Sequence, residues 1–285
     1  MTQPCAQVIG DPIAQSKSPL IHGFWLKKLG IEAGYTAEHV LPEDLKSYLD
    51  HVRSDPAWIG CNVTMPHKQE IIAHLDSLDP LASRLGAVNT VVRSAEGGLI
   101  GHNTDAGGFL EPLKTQLAAK HLFRMARIIG TGGAARAIIA ALAGEGFTLV
   151  VSGRDEAKAR ALLDELAPEG EHFTAPLSHF AQPTDFAFDD REGCFDLVIN
   201  ATSLGMKGHP PLEFDWSHAP PGSIAYDIVT SPLDTPFLVA ARAAGFAGID
   251  GLSMLIGQAA IAFEKFFGAA PPRECDAELR ELLGS

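Results

Sequence analysis

Four short polar clusters lie between Ser16 and Asp105: Ser16-Lys17-Ser18-Pro19, Asn62-Val63-Thr64-Met65-Pro66-His67-Lys68, Gly86-Ala87-Val88-Asn89-Thr90 and Gly101-His102-Asn103-Thr104-Asp105. Their hydroxyls, amides, ammonium and carboxylate suit a small polyhydroxylated acid, because each of its hydroxyls needs a partner once water is excluded. A fifth stretch, Gly130-Thr131-Gly132-Gly133-Ala134-Ala135, matches G-x-G-x-x-A. Glycines at these places permit a tight turn and the close approach of a pyrophosphate, which then faces a helix N-terminus. About 20 residues on, Ser152-Gly153-Arg154-Asp155 puts no acid at Ser152 or Gly153, and Arg154 suits the 2′-phosphate of NADP. Asp155 either caps the following helix or repels that phosphate, so NAD stays open.

Taken singly, several of these residues have plainer readings. A lone Lys68 is a solvated surface lysine and a lone Asp105 a helix N-cap. His67 adjoins Lys68, but neighbours on an extended chain point apart, which favours a surface or packing role. Cys61 has no paired histidine and reads as core. The eleven histidines show no H-E-x-x-H or similar spacing, and no metal site is expected.

The elements that must carry these groups alternate. Gln7 to Gly10 reads as a buried strand, and Ser18-Pro19 has the form of an N-cap followed by Pro at the first helical position. Tyr35 to Val40 and Ile59 to Thr64 read as strands, with a helix from Pro42 to about Val52 between them. Arg127 to Gly130, an Ala/Ile-rich helix to Leu142 and the strand Thr148 to Val151 form a βαβ unit. Strands at Leu197 to Ile199 and Ser223 to Ile228, with a helix near Thr235 to Ala244, continue it. Met254 to Phe267 reads as an apolar helix, and Pro168 to Glu192 as irregular surface. The fold class is therefore α/β, with mostly parallel sheets covered by helices and ligands at the strand C-terminal ends.

The 285 residues allow two domains, and 46% hydrophobic against 20% charged residues fits a globular chain. A formal charge of −13 without a Lys/Arg run disfavours nucleic acid. Met1 to Gln15 does not read as a signal peptide, and no uninterrupted apolar stretch is long enough for a membrane span. Cys5, Cys61, Cys194 and Cys275 are far apart, as expected of free thiols in the cytoplasm.

These clusters resemble those of the shikimate dehydrogenase family. Asn200-Ala201-Thr202-Ser203-Leu204-Gly205-Met206, Thr235-Pro236-Phe237-Leu238 and Gly251-Leu252-Ser253-Met254-Leu255 with Gln258-Ala259 are similar to further family motifs in the same order. The resemblance implies a substrate-binding domain over 1–106, completed by helices in 251–285, a Rossmann domain over 107–250, and an active site in the cleft between them. It implies NADP-dependent, reversible reduction of 3-dehydroshikimate to shikimate by a monomer or homodimer. Lys68 and Asp105 would be the catalytic pair, Ser16 and Ser18 would hold the carboxylate, and Thr64, Asn89 and Gln258 would bind ring hydroxyls. Gly130, Thr131, Gly132, Gly133, Ala134, Arg154, Ile228 and Gly251 would line the cofactor site.

Two places depart from the family pattern. Thr230 stands where the family typically has a tyrosine that contacts the substrate carboxylate, and Gly153-Arg154-Asp155 replaces the usual Asn-Arg-Thr. A quinate/shikimate dehydrogenase using NAD, or a non-enzymatic quinate or shikimate sensor, would keep the same binding clusters.

Overall fold

Apolar runs broken by turn residues build the first strands and helices in strict alternation: β1 (Cys5–Gly10), α1 (Ser18–Leu29), β2 (Gly34–His39), α2 (Leu45–Ser54) and β3 (Trp58–Val63). The computed structural model describes residues 3–188 and 192–284. After β3 come β4 (Ser77–Leu78), α3 (Pro80–Leu85), β5 (Thr90–Arg93), β6 (Leu99–His102) and α4 (Asp105–Leu110). The first sheet has the order β2-β1-β3-β5-β6-β4. Its β1, β2 and β3 are parallel, whereas β5 runs antiparallel to both β3 and β6.

The second sheet starts after α5 (Lys114–Ala118) with β7 (Phe123–Ile129), α6 (Gly133–Gly144), β8 (Thr148–Gly153), α7 (Glu156–Leu166), β9 (Phe173–Pro176) and α8 (Leu177–Phe180). It continues through β10 (Cys194–Asn200), β11 (Ile224–Asp227), α9 (Pro236–Ala243) and β12 (Ala247–Ile249). All its pairings are parallel in the order β12-β11-β10-β7-β8-β9. Counted from β7, that is 6-5-4-1-2-3, the doubly wound dinucleotide-binding order read from its other edge. The order reverses between β7 and β10, where the fold opens a crevice beyond the strand ends.

The chain ends in α10 (Gly251–Phe267) and α11 (Asp276–Gly284). Two compact units result: Met1–Gly108 with Ile256–Ser285, and Phe109–Leu255. In the first, α10 supplies Phe263, Phe266 and Phe267 to an aromatic cluster with His22, Trp25 and Tyr35. Its fully buried Phe263 contributes about 1.5–3 kcal/mol. In the second, Ile129, Val198, Ala225 and Phe237 centre a core under the β7, β10 and β11 strand ends.

Three local expectations are corrected. Ser18 is not the cap of α1: Lys17 takes that place, with no side-chain bond to the helix, and Ser18 is a buried residue of the first turn. The helix α10 begins at Gly251 rather than Met254, because Asp250 accepts from the backbone of Leu252 and Ser253 and starts the turn early. The polar stretch 168–192 is not wholly irregular, since it contains the edge strand β9 and the short helix α8 with a buried Phe180. Residues 189–191 of that stretch lie outside the described residues.

Candidate active site

Strand direction explains why the four polar clusters meet. The C-terminal ends of β1 and β3 lie side by side, with Ile9 opposite Val63. Because β5 is reversed, its N-terminal end falls beside the end of β3, with Thr90 opposite Asn62 and also opposite His102 of β6. Ser16, Thr64, Asn89 and Asp105 therefore flank the strand ends on one side of the first sheet.

Lys68 follows a turn in which the His67 backbone N–H donates to the Thr64 carbonyl at 3.0 Å. The His67 ring is buried, with Nε2 2.7 Å from the Val40 carbonyl, so it anchors the turn. Lys68 Nζ donates to Asp105 Oδ2 at 2.5 Å, with side-chain exposures of only 17% and 7%. Asp105 opens α4, and its backbone N–H donates to Asn103 Oδ1. Its other oxygen accepts from Asn89 Nδ2 at 2.8 Å. Asn89 Oδ1 accepts from the Thr104 backbone at 2.7 Å, and Gln258 Oε1 lies 3.4 Å from Asn89 Nδ2 and 3.3 Å from the Thr104 hydroxyl. Such a half-buried ammonium, with its counter-charge fixed, can stabilise and protonate an oxygen that gains negative charge.

Lys68, Asp105, Asn89 and Gln258 are thus in direct contact, whereas Ser16, Ser18 and Thr64 do not touch that group. Ser16 Oγ accepts from the Ser18 backbone at 3.3 Å, and Ser18 is buried. Thr64 donates its backbone N–H to Ile9 and packs its methyl over Gly10, where a Cβ would lie only 2.4 Å away. Lys17 reaches across to the carbonyl of Leu283 at 2.6 Å, so it ties down α11 rather than facing the clusters' ligand. Among the described residues no metal-ligand cluster is present, and no helix is long and apolar enough to cross a membrane.

In the second unit the glycine turn joins β7 to α6. Gly130 has φ +130°, and a Cβ there would meet the Ala201 carbonyl oxygen at 2.6 Å, so both conformation and the neighbouring backbone just past β10 demand glycine. Gly132 differs: a Cβ there would meet no protein atom within 4 Å. It is the N-cap of α6 and gives the helix no side-chain cap. The first turn, from Gly133 and Ala134, therefore presents uncapped N–H groups and the positive end of the helix dipole, which fits a pyrophosphate. Thr131 packs its methyl against Gly153 at the end of β8, which brings exposed Arg154 beside the turn. The Asp155 side chain accepts from the Lys158 N–H at 3.1 Å and caps α7.

Ile228 and Thr230 follow β11 and are partly buried, whereas Gly251 is buried against the Ile228 and Val229 carbonyls with no room for a Cβ. A bond set beneath them is absent from the sequence reading. Buried Asp227 accepts from Asn200 Nδ2 at 3.0 Å, Val229 N–H at 2.9 Å and the Thr235 hydroxyl at 2.7 Å. Burial pushes its carboxyl above the usual range, and the three donors oppose that shift. It joins the ends of β10 and β11 to the start of α9. The signal available in sequence was the pair of motifs that contain Asn200 and Thr235.

The model of the shikimate dehydrogenase substrate binding domain matches residues 8–91, and that of the shikimate 5′-dehydrogenase C-terminal domain matches 251–278. The NADP(+) shikimate dehydrogenase of Sphingopyxis alaskensis is 47% identical, over 98% of this chain and 97% of that protein. Shikimate 5-dehydrogenase from Thermus thermophilus, solved with NADP(H) and shikimate, is 36% identical with a TM-score of 0.80, covering 99% of this chain and 100% of that one. Quinate dehydrogenase from Corynebacterium glutamicum, solved with NAD, is 32% identical with a TM-score of 0.85 over the same shares.

Proposed function

Because this chain belongs to the shikimate dehydrogenase family, we propose that it interconverts 3-dehydroshikimate and shikimate with NADP(H), a step of aromatic amino acid biosynthesis. The observation that carries the reading is the ion pair of half-buried Lys68 with buried Asp105, with Asn89 on the far oxygen. The nicotinamide supplies or takes the hydride when bound. Lys68 stabilises the alkoxide that develops on the carbonyl oxygen and gives it a proton; in the reverse direction it takes that proton back. Asp105 orients Lys68 and accepts from the neighbouring hydroxyl.

Ser16 and Ser18 hold the carboxylate, and Thr64, Asn89 and Gln258 take ring hydroxyls. Thr230 serves the carboxylate end through a water, because it is shorter than the family's tyrosine. Gly130, Thr131, Gly132, Gly133 and Ala134 cradle the pyrophosphate, Arg154 pairs with the 2′-phosphate, and Ile228 and Gly251 border the nicotinamide half. The capping bond of Asp155 supports NADP, since it turns that carboxylate toward the helix α7.

A second reading, a quinate dehydrogenase using NAD, is favoured by Thr230 and by the likeness to the Corynebacterium enzyme. Absorbance of reduced nicotinamide with shikimate and quinate, each with NADP⁺ and NAD⁺, separates the two. Turnover confined to shikimate with NADP⁺ supports the first; faster turnover with quinate and NAD⁺ sinks it, and none in any mixture favours a sensor. We further place the enzyme in the cytoplasm as a monomer or homodimer, which cell fractionation and light scattering check.

A further inference from the structure

The amide of Asn89 can face Asp105 in only one useful orientation. An ionised carboxylate only accepts, so Asn89 must present Nδ2 to it, and Oδ1 then points at the Thr104 N–H and the Thr90 hydroxyl. Thr90, fully buried, donates its one proton to Asn89 Oδ1 at 3.1 Å and accepts from Asn62 Nδ2 at 3.0 Å. That fixes Asn62 in turn, and its Oδ1 accepts from the Tyr35 phenol at 2.6 Å. One polarised line thus runs from Tyr35 through Asn62, Thr90 and Asn89 to Asp105, every proton directed toward the carboxylate.

We propose that Thr90, backed by Asn62 and Tyr35, is a positioning residue that keeps the Asn89 amide turned toward Asp105 and so holds the Lys68–Asp105 pair in its working geometry. The proposal rests on the shikimate dehydrogenase reading. Thr90 touches no reacting atom; it acts through Asn89. A buried network of this kind acts as a unit, so cutting it at one link makes the links behind it irrelevant.

The test uses substitutions that keep shape. Thr90→Val removes the hydroxyl and is expected to lower kcat about tenfold while shikimate KM moves less than about threefold, as for the loss of one buried hydrogen bond felt in the transition state. Thr90→Ser restores kcat to within about twofold, since the hydroxyl alone is needed. Tyr35→Phe keeps the stack on His22, lowers kcat by about threefold, and adds nothing in the double variant with Thr90→Val. An unchanged kcat in Thr90→Val, a Thr90→Ser no better than Thr90→Val, or additive losses would each overturn the proposal. If Thr90→Val does not fold, the Tyr35→Phe kcat decides by the same criterion. Should the wild-type protein not oxidise shikimate, the reading of function fails, and the brace is still judged from the Asn89 side-chain amide protons. Slow exchange in the wild type and fast exchange in Tyr35→Phe keep the proposal, and equal exchange ends it.

Discussion

The two units carry their proposed sites by opposite means. In the first, side chains do the work and are already bonded to one another: Lys68 to Asp105, Asp105 to Asn89, and Asn89 onward to Thr90 and Asn62. In the second, the turn after β7 offers backbone N–H groups, with no side chain at Gly130 or Gly132. A side-chain site fixes positions by mutual bonds, so single losses damage chemistry before they damage binding. A backbone site fixes them by steric absence, and its losses appear in cofactor affinity.

Lys68→Ala probes the first half of that contrast most strongly. It should lower kcat by about 10²- to 10⁴-fold, with little change in shikimate KM or NADPH affinity, as for removal of a general acid. A proportionate rise in KM with unchanged kcat would move Lys68 out of the chemistry. Gly130→Ala probes the second half. Its positive φ and the Ala201 carbonyl should together cost about 1–3 kcal/mol, read as a fall in thermal stability and a rise in NADP⁺ KM. Unchanged values for both would show that the turn does not need glycine.

His22 tests whether the first unit is as well satisfied in its core as at its site. It is fully buried, stacked 4.0 Å from the Tyr35 ring, and neither ring nitrogen has a hydrogen bond. Burial depresses its pKa from 6.5 to about 3. The folded state thus refuses a proton that the unfolded chain accepts below its own pKa. Stability from the neutral ring is complete above about pH 6.5 and declines as pH falls toward 3, by about 2 kcal/mol at pH 5. Urea unfolding at pH 7 and pH 5 should show His22→Phe losing less than the wild type by about that amount. Equal losses would assign the acid sensitivity elsewhere.

Arg154→Ala should raise NADP⁺ KM about tenfold and leave NAD⁺ KM unchanged, the expected loss of a charge-assisted phosphate contact. Equal effects on the two cofactors would remove the 2′-phosphate from its role. The smallest change in stability belongs to Gly132→Ala. With open space at the Cβ, it should keep unfolding free energy within about 0.5 kcal/mol, so any loss of NADP⁺ affinity reports on the ligand alone.

The backbone site was legible in the sequence because a requirement for no side chain is written directly as glycine between a strand and a helix. The doubly wound order was less so: composition shows strands and helices alternating but not which strands are neighbours. The strand β9 went unread because Phe173–Pro176 is short, sits at a sheet edge and ends in proline. At the side-chain site the polar clusters stood out, yet Tyr35 did not. Its partner Asn62 lies 27 residues away, and only the pairing of strands brings them together.

The discontinuous make-up of the first unit has a consequence for the newborn protein. Residues 109–255 are contiguous and can pack as they leave the ribosome. His22, Trp25 and Tyr35, made much earlier, find Phe263, Phe266 and Phe267 only once α10 has been synthesised, and Lys17 finds Leu283 later still. The first unit is therefore completed only after α10 has been made, and until then His22, Trp25 and Tyr35 lack part of their aromatic cover.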